Sequence, residues 1–375
     1  MVILGSTGSI GVQALEVISE NPDKFRVVGL AAGSKNIELL IEQAKTFGVQ
    51  VIGTNGDGKE LREALPKATV IDGKDAAKEI AALQADIVLN GITGSIGLGP
   101  TLAALESGNK VALANKESLV AGGDLVMKFG REKIIPVDSE HSALFQAMQS
   151  GRPQDVSRVI LTASGGPFRE RKDLGKVTLS EALAHPTWSM GPVVTINSAT
   201  LVNKGLEIIE AHYLFDIPYA KIDAVIHPQS MVHSMVEFVD GSTIAQASPP
   251  NMKGPISYAL SYPQRVARAM APIDWTRSHT WGFEPIDESR FPSVALARRC
   301  GALGGSFTAM YNAANEVAVD AFLRELIPFT AIVDTIDKTV TKLNSGVPEQ
   351  LRDMSDVTAI ENDARRVANE VMAGK

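Results

Sequence analysis

From Val2 to Asn115, short apolar runs alternate with longer stretches whose apolar residues recur every three or four positions. Continuous apolarity over a few residues predicts buried strands, and the longer period predicts helices. VILG (2–5) reads as a strand, and GSIGVQALEVISENP (8–22) as a helix stopped at Asn21-Pro22. FRVVGLAAG (25–33) is a second strand, and IELLIEQAKTFG (37–48) is a helix with Gly48 at its end. VQVIG is strand-like, REALPKATVI ambiguous and AAKEIAALQ helical. ADIVLNGI (85–92) is a strand, PTLAALESG (100–108) a helix and KVALAN (110–115) a strand. This βαβ rhythm implies a parallel sheet with right-handed crossovers, a Rossmann-like α/β domain over residues 1–124.

Beyond about residue 125 the rhythm changes. KIIPVDSE, VSRVILTAS and residues 224–247 have β character, the last reading as a hairpin around Asp240-Gly241. The helical stretches HSALFQAMQS and NKGLEIIEAHYLF lie between them, so residues 125–270 read as an α+β domain. Residues 271–292 carry several prolines and little periodicity, as a linker would. Four helical patterns follow, predicting a C-terminal helical bundle over 293–375. The expected fold class is α/β, with a Rossmann-like parallel sheet at the N-terminus, an α+β domain carrying a lid loop near 185–191, then a C-terminal helical bundle.

Two near-identical strings, GSTGSIG (5–11) and GITGSIG (91–97), each follow an apolar strand. A glycine turn leading into a helix N-terminus presents backbone N–H groups and the positive end of a dipole, which favours a pyrophosphate. In the first string the helix pattern begins inside the loop. In the second, Pro100 reads as the first helical position, which puts that helix start too far along. One phosphate site is therefore expected, at Thr7, Gly8, Ser9 and Ile10. The second strand ends AAGSKN, with Lys35 and no acid, and a cation there suits the 2′-phosphate of NADP better than the ribose of NAD. A solvated surface lysine would look the same.

The net charge of −7 argues against a nucleic-acid partner. A single cysteine, Cys300, allows no internal disulfide and fits a reducing compartment. No apolar run approaches the roughly 20 residues of a membrane helix, and no signal peptide is evident before the first strand. A cytoplasmic protein with no membrane partner is expected.

Several polar residues are placed for chemistry. Asp138 and Glu140 lie two apart after a strand-like run, so both point the same way in extended chain. Asn203, Lys204 and Glu207 share one face at the start of a helix, with Ser198 and Thr200 just before it. Three carboxylates without a matching Cys or His pair suit a hard cation held by oxygens. Spacing alone favours the plainer reading: a turn at Asp138, a helix cap at Glu140 and an exposed helix position at Glu207. TASGGPF (162–168) offers a hydroxyl and backbone N–H groups to a phosphate. HPTWSMG (185–191) places Trp188 and Met190 in a loop, as in a lid closing over substrate or a loop packed on the core. His227 and His233, six apart, could suggest zinc, but structural packing is the better reading because no cysteine supports them.

GSTGSIG, LANKES, PVDSEH, TASGGPF, HPTWSMG, NSATLVNKGLEIIEA, IHPQSMVHSMVEF and NAANEVAV occur in the order found in the 1-deoxy-D-xylulose 5-phosphate reductoisomerase family, which the chain resembles along essentially its whole length. The resemblance implies NADPH as cofactor, a divalent cation (Mg²⁺, Mn²⁺ or Co²⁺), a small sugar phosphate as substrate and a homodimer. It implies cofactor contacts at Thr7, Gly8, Ser9, Ile10, at Gly33, Ser34, Lys35 and Asn36, and at Asn115, Glu117 and Gly191. It implies Asp138, Glu140 and Glu207 as metal ligands, and substrate contacts from Lys116, Ser139, Ser164, His185, Ser198, Asn203 and Lys204. AAGSKN is one residue longer than the family form, which leaves open which residue of 33–36 meets the 2′-phosphate.

Overall fold

A computed structural model describes residues 1–348 and 350–374. It divides into two compact units. The first comprises Met1–Ser118, Val126–Ser142 and Asn251–Ala271; the second comprises Leu119–Leu125, Ala143–Pro250 and Pro272–Lys375.

In the first unit the chain runs β1 (Val2–Leu4), α1 (Ser9–Ser19), β2 (Gly29–Ala32), α2 (Ile37–Phe47), β3 (Val51–Thr54), α3 (Lys59–Ala64), β4 (Thr69–Asp72), α4 (Ala76–Ala81), β5 (Ile87–Asn90), α5 (Leu98–Glu106) and β6 (Lys110–Leu113). α6 (Glu117–Met127) follows, its middle belonging to the second unit, then β7 (Ile134–Pro136) and α7 (Ser139–Ala147), which passes into the second unit after Ser142. The seven strands form one parallel sheet in the order β4-β3-β2-β1-β5-β6-β7. Val2, Ile3, Leu4, Leu30, Ile52, Val88, Leu89, Val111 and Leu113 have no exposed surface. Strands covered on both faces need apolar side chains at odd and even positions alike, which explains why they read as unbroken apolar runs. The order reverses between β1 and β5. The carboxyl ends of these two strands, and with them both glycine strings, therefore flank the switch point where open α/β sheets bind ligands.

The second unit holds β8 (Val156–Ala163), α8 (Leu179–Leu183), α9 (Pro192–Ala199), α10 (Val202–Phe215), β9 (Ile222–Ile226), β10 (Val232–Phe238) and β11 (Thr243–Ala247). α11 (Lys253–Ser261) returns to the first unit, where it packs on α1 and Lys253 Nζ meets Glu16 at 2.8 Å. Then come β12 (Glu284–Pro285), α12 (Ser293–Leu303), α13 (Gly305–Leu323), α14 (Ala331–Lys342) and α15 (Met354–Met372). The mixed sheet runs β11-β10-β8-β9-β12, and α13, α14 and α15 pack on one another as the expected bundle. No helix of the described residues is long and apolar enough to cross a membrane.

Three sequence expectations change. The strand read from Phe25 forms only over Gly29–Ala32. Ile134–Pro136, grouped above with the β-rich region after 125, is the seventh strand of the first sheet, pairing in parallel with β6. The 271–292 stretch is not wholly irregular, because Glu284 and Pro285 pair with β9.

Candidate active site

In the first unit the glycines of GSTGSIG are required by close approach. Gly5 has φ +75, and a Cβ on it would lie 2.8 Å from Gly91 O. A Cβ on Gly11 would lie 2.4 Å from both Gly5 O and Ser6 Cα. Helix α1 thus sits directly on the turn, and the turn sits directly on the second glycine string. Gly8 caps α1 without any side-chain hydrogen bond, and the first turn carries no acidic residue. The leading N–H groups of α1 therefore have no side chain competing with an anion.

The second string behaves differently, and not for the reason expected from Pro100. A 3₁₀ turn over Ser95–Gly97 leads straight into α5 at Leu98. Pro100 sits inside the first turn, where a missing N–H costs no intrahelical bond. What distinguishes this loop is that protein side chains fill it. Asn115 Nδ2 donates to Ile92 O at 2.6 Å, Gly94 O at 2.9 Å and Glu117 Oε2 at 2.8 Å. A Cβ on Gly97 would strike the Asn115 amide at 2.5 Å. Asn90 Nδ2 donates to Gly97 O at 2.9 Å, and Asn90 Oδ1 accepts from Ile92 N–H at 3.1 Å. Sequence reading missed Asn90; its signal is an amide ending a buried apolar strand just before a glycine.

The turn after β2 is also braced. Ser34 N–H donates to Asn55 Oδ1 at 3.0 Å, and Asn36 caps α2 by accepting from Leu39 N–H at 3.3 Å. Gly33, Ser34, Lys35 and Asn36 are all exposed. Asn55 was not anticipated, because nothing in TNGDG marks one loop residue as supporting another.

At the ends of β6 and β7, Lys116 Nζ lies 2.5 Å from Asp138 Oδ2, with both side chains largely covered. Ser139 N–H donates to Asp138 Oδ1 at 2.9 Å, and Ser139 Oγ donates to Glu140 Oε2 at 2.5 Å. Asp138, Ser139 and Glu140 thus form one connected acidic group on the first unit.

In the second unit, Gly165 and Gly166 both take positive φ (+85 and +63), and a Cβ on Gly166 would meet Ser198 O at 3.0 Å. This bend after β8 carries Ser164 to the end of α9. There His185 Nε2 lies 3.0 Å from Ser164 Oγ and 3.1 Å from Ser198 Oγ. Burial holds the His185 imidazole below its ordinary pKa. Gly191 caps α9 ahead of Pro192. The chain then turns through Leu201, buried at φ +57, into α10. Holding a leucine left-handed costs roughly 1–2 kcal/mol. It starts α10 so that Lys204 and Glu207 point inward, with 3% and 1% of their side chains exposed. Lys204 Nζ contacts both Glu207 Oε2 and Thr162 O, and Asn203 Nδ2 donates to Glu207 Oε1. Trp188 is half-buried, its ring 6.2 Å from that of His233.

The two histidines weighed for zinc serve the backbone instead. His227 accepts N–H from Met231 and Val232, each at 3.1 Å, and His233 Nε2 lies 3.1 Å from Ser248 O. Cys300 is buried, and burial pushes its thiol up to about 12, so it offers no thiolate.

A parallel sheet with a bare helix N-terminus at its switch point defines a dinucleotide-binding α/β protein. The chain belongs to the 1-deoxy-D-xylulose 5-phosphate reductoisomerase family. The family model for that reductoisomerase matches residues 1–123; models for its C-terminal domains match 134–215 and 247–367. A reductoisomerase of this name from Kitasatospora griseola is 54% identical over 388 residues, covering 100% of both chains. One from Leifsonia xyli subsp. xyli is 58% identical over 343 residues, covering 91% of this chain and 90% of its own. A crystal structure of a DOX-P reductoisomerase with NADPH, fosmidomycin and magnesium superposes with a TM-score of 0.92 at 36% identity, covering 99% of this chain and 98% of its own. The Zymomonas mobilis enzyme with NADPH gives 0.91 at 40% identity, with the same coverage.

Proposed function

We propose that this chain converts 1-deoxy-D-xylulose 5-phosphate to 2-C-methyl-D-erythritol 4-phosphate by isomerisation followed by NADPH-dependent reduction, with a divalent cation. Membership of the family supports the overall reaction. The assignment of individual residues is our own reading. One observation carries it: within the second unit, Ser164 and Ser198 meet on one imidazole, while the sealed Lys204–Glu207 pair is anchored to Thr162, two residues before Ser164. Two hydroxyls on one imidazole suit a phosphate, and an ammonium–carboxylate pair at the start of the next helix suits the hydroxyls of a polyol.

The donor chemistry fits a hard cation. Asp138, Glu140 and Glu207 offer only oxygen, and two of the three already face an ammonium, Lys116 or Lys204. We assign these three as the ligands of Mg²⁺, Mn²⁺ or Co²⁺. When bound, the cation supplies Lewis-acid polarisation of the substrate ketone and NADPH supplies a hydride. The chain's own residues do the rest. Ser139 holds Glu140, and Lys116 and Asn203 orient the carboxylates they touch; we also read Lys116 and Lys204 as contacts for substrate oxygens once substrate displaces their present partners. Ser164 and Ser198 grip the phosphate, whose binding energy is spent away from the reacting carbons. The 185–191 segment closes over the substrate and excludes water. Thr7 to Ile10 hold the NADPH pyrophosphate on the N-terminus of α1, with Gly33 to Asn36 at the adenosine end and Asn115, Glu117 and Gly191 bordering the cofactor. A cytoplasmic location and a homodimer complete this reading; the lone buried Cys300 agrees with the first.

Asp138→Asn and Glu207→Gln test the metal assignment. Each should bind NADPH as wild type does and lose about 100-fold or more in turnover, equivalent to roughly 3 kcal/mol of Lewis-acid stabilisation. Unchanged turnover in both would remove the metal site from Asp138 and Glu207.

A further inference from the structure

Leu40, Gln43 and Ala44 are the buried residues of α2. Two are apolar, as a helix packed on a sheet requires. Gln43 is a primary amide, and only 6% of the residue is exposed. Its Nε2 donates to the backbone carbonyl of Ser6 at 2.9 Å. A carbonyl only accepts, so the amide must turn its NH2 group to Ser6. Gln43 Oε1 is then buried with no hydrogen-bond partner among the described residues. An amide satisfied on one side only is a costly core residue, and a leucine would fill the place without that cost. Stability does not account for Gln43, so its use must lie in what it holds.

Ser6 lies in the first glycine turn, where its N–H and that of Gly5 both donate to Ala31 O, at 3.1 and 2.8 Å. Its carbonyl stands four residues before Ile10, the spacing at which a helix carbonyl accepts an N–H. Yet α1 starts at Ser9, and among the described residues no backbone carbonyl accepts the N–H of Ser9, Ile10 or Gly11. If Ser6 O were released, pairing with Ile10 N–H would wind α1 back into its own turn and consume a donor that an anion needs. We infer that Gln43 is a positioning residue for the cofactor: by holding the Ser6 carbonyl from α2, it keeps the leading N–H groups of α1 open to a pyrophosphate. The inference rests on the reading of Thr7 to Ile10 as the pyrophosphate contacts. Its physical content is preorganisation, because a turn already held open need not break a bond of its own before it binds.

Two measurements on the full-length protein test this. Gln43→Met keeps the length and helix propensity of the side chain and removes the donor. Its Kd for NADPH should rise about 10-fold, the loss expected of one charge-assisted N–H bond. Its kcat with Mg²⁺ at saturating NADPH, and its KM for 1-deoxy-D-xylulose 5-phosphate, should stay at wild-type values. Adenosine 2′-phosphate, which on the same reading meets only the 33–36 loop, should bind both proteins equally well. A Kd for NADPH within twofold of wild type would overturn the role of Gln43. So would an equal weakening of adenosine 2′-phosphate, which would mean that α2 has merely slackened. The second measurement needs no variant. Hydrogen exchange in cofactor-free wild-type protein should be fast at the N–H groups of Ser9 and Ile10 and slow once NADPH is added. Slow exchange without cofactor would overturn the inference even if Gln43→Met fails to fold. Gly11→Ala separates the inference from the reading beneath it. Wild-type NADPH affinity in folded Gly11→Ala would overturn the pyrophosphate site itself; weakened affinity there, with none lost in Gln43→Met, would overturn the role of Gln43 alone.

Discussion

Gly11→Ala isolates the contact that seats α1 on its turn. The new Cβ would lie 2.4 Å from Gly5 O and Ser6 Cα and 2.6 Å from Ser6 C, all backbone atoms that cannot rotate aside. Relief requires the helix N-terminus to back away from the turn by about 1 Å, since ordinary carbon contacts lie near 3.5 Å. Overpacking of this kind costs about 1–3 kcal/mol, and the better helix propensity of alanine returns about 1 kcal/mol. Folding stability should therefore fall only modestly. Cofactor binding should suffer more. A helix start displaced from the loop loses at least one charge-assisted N–H bond to the pyrophosphate, about 1.5–3 kcal/mol, or roughly 10- to 150-fold in Kd. Gly48→Ala is the control. It forces alanine to adopt φ +62 at the end of α2 with nothing within 4 Å, so it should cost about 1 kcal/mol of stability and leave NADPH affinity alone. NADPH fluorescence titration of both variants, beside thermal melts, reads the two effects separately. Wild-type NADPH affinity in a folded Gly11→Ala protein would refute the claim that α1 must meet the turn this closely to hold the cofactor.

Asn115→Ala should release the carbonyls of Ile92 and Gly94 and leave a small void beside Gly97. A rise in the NADPH Kd of about 10-fold is expected, because an unbraced loop must be ordered on binding; a Kd within twofold of wild type would make Asn115 a bystander. The His185 ring should also give the protein an acid-side dependence. Burial lowers its pKa in the folded state below 6.5, so the unfolded chain binds the extra proton first. This contribution to stability is full above pH 6.5 and is lost as pH falls through the folded-state value. Wild-type melting temperature should drop more steeply than that of His185→Gln as pH falls below 6.5; parallel curves would argue against it.

Much of this architecture is legible in the chain because buried parallel strands must be apolar at every position, and VILG and IVLN satisfy that without any tertiary information. The first glycine turn is legible for a related reason: glycine at three-residue spacing through a strand–helix junction has few other uses. The second turn misleads because its contrast with the first lies in a side chain, Asn115, eighteen residues beyond the loop's last glycine. Pro100 misleads because proline is tolerated anywhere in a first helical turn, not only at its first position. β7 escapes because three residues ending in proline carry too little pattern to assign a strand to one sheet rather than another. In the candidate site, Asp138, Glu140 and Glu207 stand out only through the family resemblance. Their spacing is equally that of caps and surface helix positions, and only the buried ammonium beside Glu207 makes a surface role untenable.

A metal-dependent, NADPH-consuming reaction of one phosphorylated ketose is tested most directly by following NADPH absorbance in purified full-length protein given 1-deoxy-D-xylulose 5-phosphate, with Mg²⁺, without it, and with excess chelator followed by Mg²⁺. Oxidation is expected only when substrate and metal are both present, abolished by chelation and restored by added metal. Oxidation that persists in excess chelator, or none with fresh substrate and metal, would contradict it.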